Sequence, residues 1–245
     1  MSTAKRHRYL YDRNKIIIKI RHSVNRCIHV FRSISILTLG RRPPIRFLIV
    51  CRSRVGSTYL ASLLSSHPNV LGSGEVLSGR SRIERTFISW IGVTGYFDRI
   101  VFRCMSPKTK AIGFKLMYYH ARRPLDKNTP SIWPAYGPER LEKIEPIWSY
   151  LTGDLNIRII HLTRENVLRT HLSLLNARKT GRWTSRNKIP LPNVHKQPLR
   201  VDEKMCEQVF TATQAYQEEC RTLFQKHPFL EISYEQLTRG HLYKL

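Results

Sequence analysis

Between Cys51 and Tyr59 the chain reads Cys-Arg-Ser-Arg-Val-Gly-Ser-Thr-Tyr, a run suited to holding an anion. A helix beginning at Ser57 or Thr58 leaves its first backbone amides without intrahelical partners. Those amides point at the preceding loop, where the helix dipole also favours negative charge. Gly56 lets the backbone come close to that anion, and the Ser57 and Thr58 hydroxyls can donate to it. Arg54, two residues before the glycine, supplies a fixed positive charge. The spacing is not that of the nucleoside-triphosphate loop G-x-x-x-x-G-K-[ST]. Aligning Gly56 with the second glycine puts Cys51 at the first and Ser57 at the lysine. Two required positions are wrong, which argues against Walker-type hydrolysis of ATP or GTP. With its cation at Arg54, the loop suits a ligand with one terminal anionic group and no metal bridging two phosphates.

Few other constellations compete. No paired carboxylates, metal-ligand cluster or Ser/His/Asp set stands out, and no metal is expected. The cysteines (Cys27, Cys51, Cys104, Cys206, Cys220) are odd in number, scattered, and never in CxxC pairs, so neither a disulfide framework nor a zinc site is suggested. They read as buried small apolar residues in a reducing compartment, Cys51 included.

The elements that must carry the loop are legible from hydrophobic pattern. Phe47-Leu48-Ile49-Val50 is a short apolar run, as expected of a strand buried on both faces. Thr58 to Ser65 reads as a helix with Leu60, Leu63 and Leu64 inward, ended by His67-Pro68. Ala111 to Tyr118 reads as another strand. Pro138 opens a helix with Leu141, Ile144, Trp148 and Leu151 on one face, kinked or divided at Pro146. Asn156 to Leu162 is a further buried strand, followed by a helix from about Glu165 to Lys179. The stretch Thr180 to Leu199, with Pro190, Pro192 and Pro198, reads as a loop. Asp202 to Lys226 carries Met205, Val209, Ala212, Tyr216, Cys220 and Leu223 in a helical stripe, and Phe229 to Ser233 reads as a last strand. Strands alternating with helices predict an α/β fold whose mostly parallel central sheet is covered by helices on both faces.

With 245 residues there is room for one such domain and little more. Net charge is +25, with 42 Lys and Arg against 17 Asp and Glu, so the surface attracts anions. From Met1 to Arg46 there are twelve Lys or Arg and one acid; the other 199 residues carry the remaining +14. This divides the chain into a basic arm, 1–45, and a domain, 46–245, with Gly40-Arg41-Arg42-Pro43-Pro44 as the break. Ile16, Ile17, Ile20, Val24, Ile28 and Phe31 fall at helical spacing among basic residues. A solvated arm, a helix packed on the domain, and an amphipathic helix adsorbed to an anionic membrane all remain open. The best apolar stretch, Cys27 to Leu39, is interrupted by His29 and Arg32 and is too short to span a bilayer. Nor does a signal peptide stand out, so the expected location is cytoplasmic, with peripheral membrane contact as a variant.

At the level of motifs the chain resembles a known family. Phe47 to Glu75, FLIVCRSRVGSTYLASLLSSHPNVLGSGE, is similar to the 5′-phosphosulfate loop of sulfotransferases that use 3′-phosphoadenosine 5′-phosphosulfate (PAPS). It is closest to the bacterial carbohydrate sulfotransferases of the nodulation-factor and trehalose type. Ile159 to Arg169, IIHLTRENVLR, resembles the family's strand that ends in an arginine for the 3′-phosphate. The resemblance covers roughly Arg46 to Gly240. It implies a P-loop-like three-layer sandwich and sulfuryl transfer from PAPS, as co-substrate, to a hydroxyl, in particular of a carbohydrate or glycolipid. It places Arg54 at the bridging and sulfuryl oxygens and Val55, Gly56, Ser57 and Thr58 at the 5′-phosphate, with Tyr59 beside them. Arg164, with Ser173 one helix further on, falls at the 3′-phosphate.

The resemblance also implies a general base. A glutamate after the first helix does this work in the related bacterial and Golgi-type enzymes, and Glu75, read as a loop residue, matches it. Cytosolic relatives use a histidine two residues after a strand lysine; counted from Lys115 that position is Met117, which accepts no proton. Lys115 is a secondary site for sulfuryl charge, and His120 an alternative base. Ser78 to Arg85 and Thr180 to Leu199, with Arg182, Trp183, Arg186, Lys188, His195 and Lys196, would line the acceptor site. The sequence departs from the pattern in two places. Ser53 stands where many relatives have proline, and only His241 to Leu245 follow the region where relatives continue with another helix. Two rivals remain open: a basic nucleic-acid-binding module, for which no recognition signature is present, and an inactive sulfotransferase-like scaffold.

Overall fold

The computed structural model describes residues 43–77, 82–103, 106–118, 120, 138–181, 183 and 200–239, with backbone alone for 82–87, 89 and 138–145. The basic arm up to residue 42, Cys104, and most of Thr180 to Leu199 lie outside the described residues. Five strands, β1 Ile45–Cys51, β2 Val70–Glu75, β3 Ala111–Met117, β4 Ile157–Thr163 and β5 Phe229–Ser233, form one sheet in the order β2-β3-β1-β4-β5. Every pairing is parallel. The helices are α1 Ser57–Ser66, α2 Arg82–Tyr96, α3 Pro138–Gly153, α4 Val167–Thr180, α5 Glu203–Leu223 and α6 Tyr234–Thr238, and a π-helical turn, Phe97–Val101, follows α2.

The continuous apolar runs of the strands serve two faces at once. From β1, Leu48 and Val50 enter one core, with Phe114, Ile159, Trp148 of α3, and Tyr216 and Phe224 near α5. The intervening Phe47, Ile49 and Cys51 enter the other, with Leu60 of α1 and Leu237 of α6. These are the three layers of an α/β sandwich. Helix α3 runs undivided through Pro146. Helix α1 stops at His67, whose extended backbone (φ −75°, ψ 128°) is the conformation a following proline imposes.

Two elements were not legible in the pattern. The segment Arg82–Tyr96 is helical, interrupted at Gly92 (φ 70°, ψ 173°). Val70–Glu75, whose glycines suggest a loop, is the edge strand β2. A register shift lets Ser73 pair with Phe114 and Glu75 with Lys115, so Gly74 is the extra residue of a bulge. Without it Glu75 would alternate onto the sheet face opposite to Lys115. Glu75 is therefore a strand-end residue, not a loop residue.

Candidate functional site: an anion cavity at the carboxyl ends of the strands

Strand β1 is central, and its neighbours β3 and β4 continue to opposite sides of the sheet. Crevices at the carboxyl ends of strands at such a reversal are where open α/β sheets bind ligands. The loop after β1 leads there. Gly56 caps α1 with a left-handed backbone (φ 86°, ψ 12°) and no side-chain hydrogen bond, and the first turn holds no acid. The anion-attracting end of α1 is thus unmasked. A Cβ at Gly56 would overlap the Tyr234 ring, so both torsion and space require glycine. Arg54 is the one non-glycine described residue with positive φ, 70°, a strained geometry of the kind that collects at ligand sites.

A cavity of about 660 Å³ opens at this point. It brings together Arg54, Gly56, Ser57, Thr58 and Tyr59 from the loop and α1 with Arg164 from the end of β4 and Ser173 from α4. Val55 is the exception among the loop residues: its side chain is buried in the core with Leu60 and Leu237, leaving only its backbone for a ligand. Arg54 Nε donates to Ser173 Oγ at 2.9 Å, and its Nη1 to the Trp183 carbonyl at 2.6 Å. Arg164 Nη1 donates to the Arg54 carbonyl at 3.1 Å.

Arg164 is oriented by groups that sequence reading missed. Its guanidinium carbon lies 4.6 Å from the centre of the Tyr234 ring, and its Nε lies 3.8 Å from Glu235 Oε1. That Nε is buried and has no hydrogen-bond partner among the described residues. Tyr234 follows β5 directly, and only the strand order reveals that β5 ends beside the loop after β4. Asn166 caps α4 by accepting from Arg169 N–H at 2.8 Å, and Ser233 Oγ donates to Glu165 Oε1 at 2.9 Å. The turns after β4 and β5 are thereby bound to one another.

The electrostatics favour an anion. Burial, and then the nearby Arg164, lower the Arg54 pKa, so the two cations destabilise each other across the cavity. An anion between them would relieve that repulsion and satisfy the orphaned Arg164 Nε. Cys51 is no nucleophile: burial pushes its thiol up to about 12.

Glu75 and Lys115 stand next to the cavity and are linked to it through Thr58. Lys115 is buried, and its Nζ lies 3.2 Å from Thr58 Oγ1 and 3.5 Å from Glu75 Oε1. His120 Nε2 lies 3.7 Å from Glu75 Oε2. Of the expected acceptor segments, residues 78–81, 182 and 184–199 fall outside the described residues, while Trp183 reaches the cavity. Among the described residues no three His, Cys, Asp or Glu side chains gather at metal-binding spacing, and no helix is long and apolar enough to cross a membrane.

No family model matches the chain. It is similar to nodulation protein H of Rhizobium meliloti strain 1021, with 25% identity over 221 residues, covering 83% of this chain and 75% of that protein. Nodulation protein H of Rhizobium tropici is 26% identical over 196 residues, 79% of this chain and 70% of that protein. Across about four fifths of its length, the chain is thus a distant but consistent relative of nodulation protein H.

Proposed function

We propose that this protein is a sulfotransferase that takes the sulfuryl group from PAPS and transfers it to a hydroxyl of a carbohydrate or glycolipid. The observation that carries the reading is the convergence of Arg54, the Gly56 turn, Arg164 and Ser173 on one cavity. One ligand with anionic groups at two ends suits that arrangement, and a nucleoside bisphosphate is such a ligand. The relatives named nodulation protein H support it as well.

In this reading the amides and hydroxyls of Ser57 and Thr58 hold the 5′-phosphate, and Arg164 with Ser173 holds the 3′-phosphate. Arg54 stabilises charge on the leaving oxygen, and Lys115 stabilises it on the sulfuryl oxygens. Like phosphoryl transfer, the reaction needs alignment and charge stabilisation more than covalent help. Glu75 takes the proton of the acceptor hydroxyl as that oxygen bonds to sulfur and the bond from sulfur to the phosphate oxygen breaks.

The test offers PAPS labelled with radioactive sulfur to a panel of oligosaccharides and glycolipids. Arg54→Ala abolishes transfer, whereas Glu75→Gln loses turnover, by roughly 100-fold or more, and keeps nucleotide affinity. Full activity in Glu75→Gln would remove it as the base. The net charge of +25 favours a second reading, a nucleic-acid-binding surface. Under that reading, binding to DNA or RNA would fall steeply with salt and be indifferent to PAPS.

A further inference from the structure

Next to the anion cavity, both oxygens of Glu75 face nitrogen groups carried by β3 and the turn that follows it. Oε1 lies 3.5 Å from Lys115 Nζ, and Oε2 lies 3.7 Å from His120 Nε2. His120 is 5% exposed, and its turn is held on several sides. Its own N–H donates to the Met117 carbonyl at 2.8 Å, and the Tyr118 N–H donates to the Cys51 carbonyl at 2.9 Å. The Tyr118 hydroxyl meets the buried His161 Nε2 at 2.5 Å. The other ring nitrogen of His120, Nδ1, faces the Met117 N–H at 3.5 Å. A backbone N–H can only donate, so Nδ1 is the accepting nitrogen. The neutral imidazole then carries its proton on Nε2, towards Glu75.

Resting on the sulfotransferase reading, we propose that His120 is a positioning residue for Glu75. Its Nε2 faces Oε2 at 3.7 Å, a polar contact longer than a hydrogen bond, and so biases Oε1 towards Lys115, which itself reaches Thr58 at the head of the anion-binding helix. A carboxylate anchored through one oxygen swings about its own side-chain torsions. Donors on both sides hold one lone pair where the acceptor's proton is released. In the transfer, the acceptor oxygen bonds to sulfur, and the electron pair of the breaking bond leaves with the phosphate oxygen. The hydroxyl proton passes to Glu75 Oε1. His120 gains and loses no proton.

The test uses the full chain and needs no knowledge of the natural acceptor. Release of labelled inorganic sulfate from PAPS, with water as acceptor, gives turnover, and calorimetric titration with adenosine 3′,5′-bisphosphate gives donor-site affinity. His120→Ala should lower turnover roughly 10- to 100-fold, the order expected when a reacting group loses its placement. Its bisphosphate affinity and its KM for PAPS should stay within about twofold of the unchanged protein. His120→Gln, whose amide can donate towards Oε2, should recover part of the loss. Adding His120→Ala to Glu75→Gln should cost nothing further. In the protein labelled with nitrogen-15 histidine, the His120 resonances should be those of the Nε2–H tautomer and should move in Glu75→Gln. Undiminished turnover in His120→Ala, multiplying losses in the double variant, or an Nδ1–H tautomer would each overturn the role of His120 alone. An unchanged protein that neither binds the bisphosphate nor releases sulfate from PAPS would overturn the sulfotransferase reading, and this proposal with it.

Discussion

At Gly56 two independent constraints meet, a left-handed torsion (φ 86°) and a Tyr234 ring in the space a side chain would fill. Gly56→Ala should therefore lower stability by about 1–3 kcal/mol, seen as an earlier denaturant midpoint, and abolish measurable binding of adenosine 3′,5′-bisphosphate. A variant with unchanged midpoint and affinity would show the turn to be more plastic than its packing implies. Cys51 invites a complementary test. Its thiol, held neutral by burial up to about pH 12, should resist alkylation in the native protein at pH 8 and react only on unfolding. Much of this scale was legible in sequence, because Arg54, Gly56, Ser57 and Thr58 fall within one short loop and their chemistry is local. Val55 was legible only as a loop member; which way its side chain turned depended on the core beneath it.

Elements position what residues supply. The turns after β4 and β5 are joined through Glu165 and Ser233, and Tyr234 at the head of α6 backs the Arg164 guanidinium. Tyr234→Ala should weaken bisphosphate binding roughly tenfold, about the 1 kcal/mol of a partly buried cation–π contact together with lost packing at Gly56. It should leave global stability less affected than Gly56→Ala does. Equal affinity in the variant would make Tyr234 a bystander. The strands and helices with strong periodicity, such as Ala111–Met117, Ile157–Thr163 and Glu203–Leu223, lay close to where apolar pattern put them. Strand β2 did not, since Gly72 and Gly74 weaken strand pattern and the bulge they permit is a tertiary outcome. That bulge decides which face Glu75 occupies, so the apposition of Glu75 with Lys115 could not be read from spacing.

The whole molecule responds to acid through groups that do not themselves line the cavity. His161 is fully buried and held below the ordinary histidine value by burial, against the pull of Glu231. His171 is lowered by burial and by Arg52 and Arg178. Unfolding releases both, so below about pH 6.5 the unfolded chain binds more protons than the native one. Their contribution to stability is complete above that value and is lost as the pH falls through and below it. Glu231, held low chiefly by Arg221, adds a further decline below its ordinary value of 4.5. The thermal midpoint should therefore be flat between pH 7 and 8 and fall between about pH 6.5 and 5, with a shallower slope in His161→Gln. A midpoint insensitive to pH across that range would contradict the burial of both rings. The alternating order of strands and helices made the three layers legible, whereas the contact between Tyr234, just after β5, and the loop after β1 required the finished sheet.

That contact has a consequence for how the protein comes into being. Tyr234, which walls the Gly56 turn, is separated from it by nearly the whole domain along the chain. A polypeptide still emerging from the ribosome can assemble the β1 loop early, but the pocket lacks its Tyr234 wall until β5 and the turn after it have docked. On the sulfotransferase reading, a proteolytic cut just ahead of Phe229 should therefore release a fragment that does not bind adenosine 3′,5′-bisphosphate, because the Tyr234 wall of the cavity is lost.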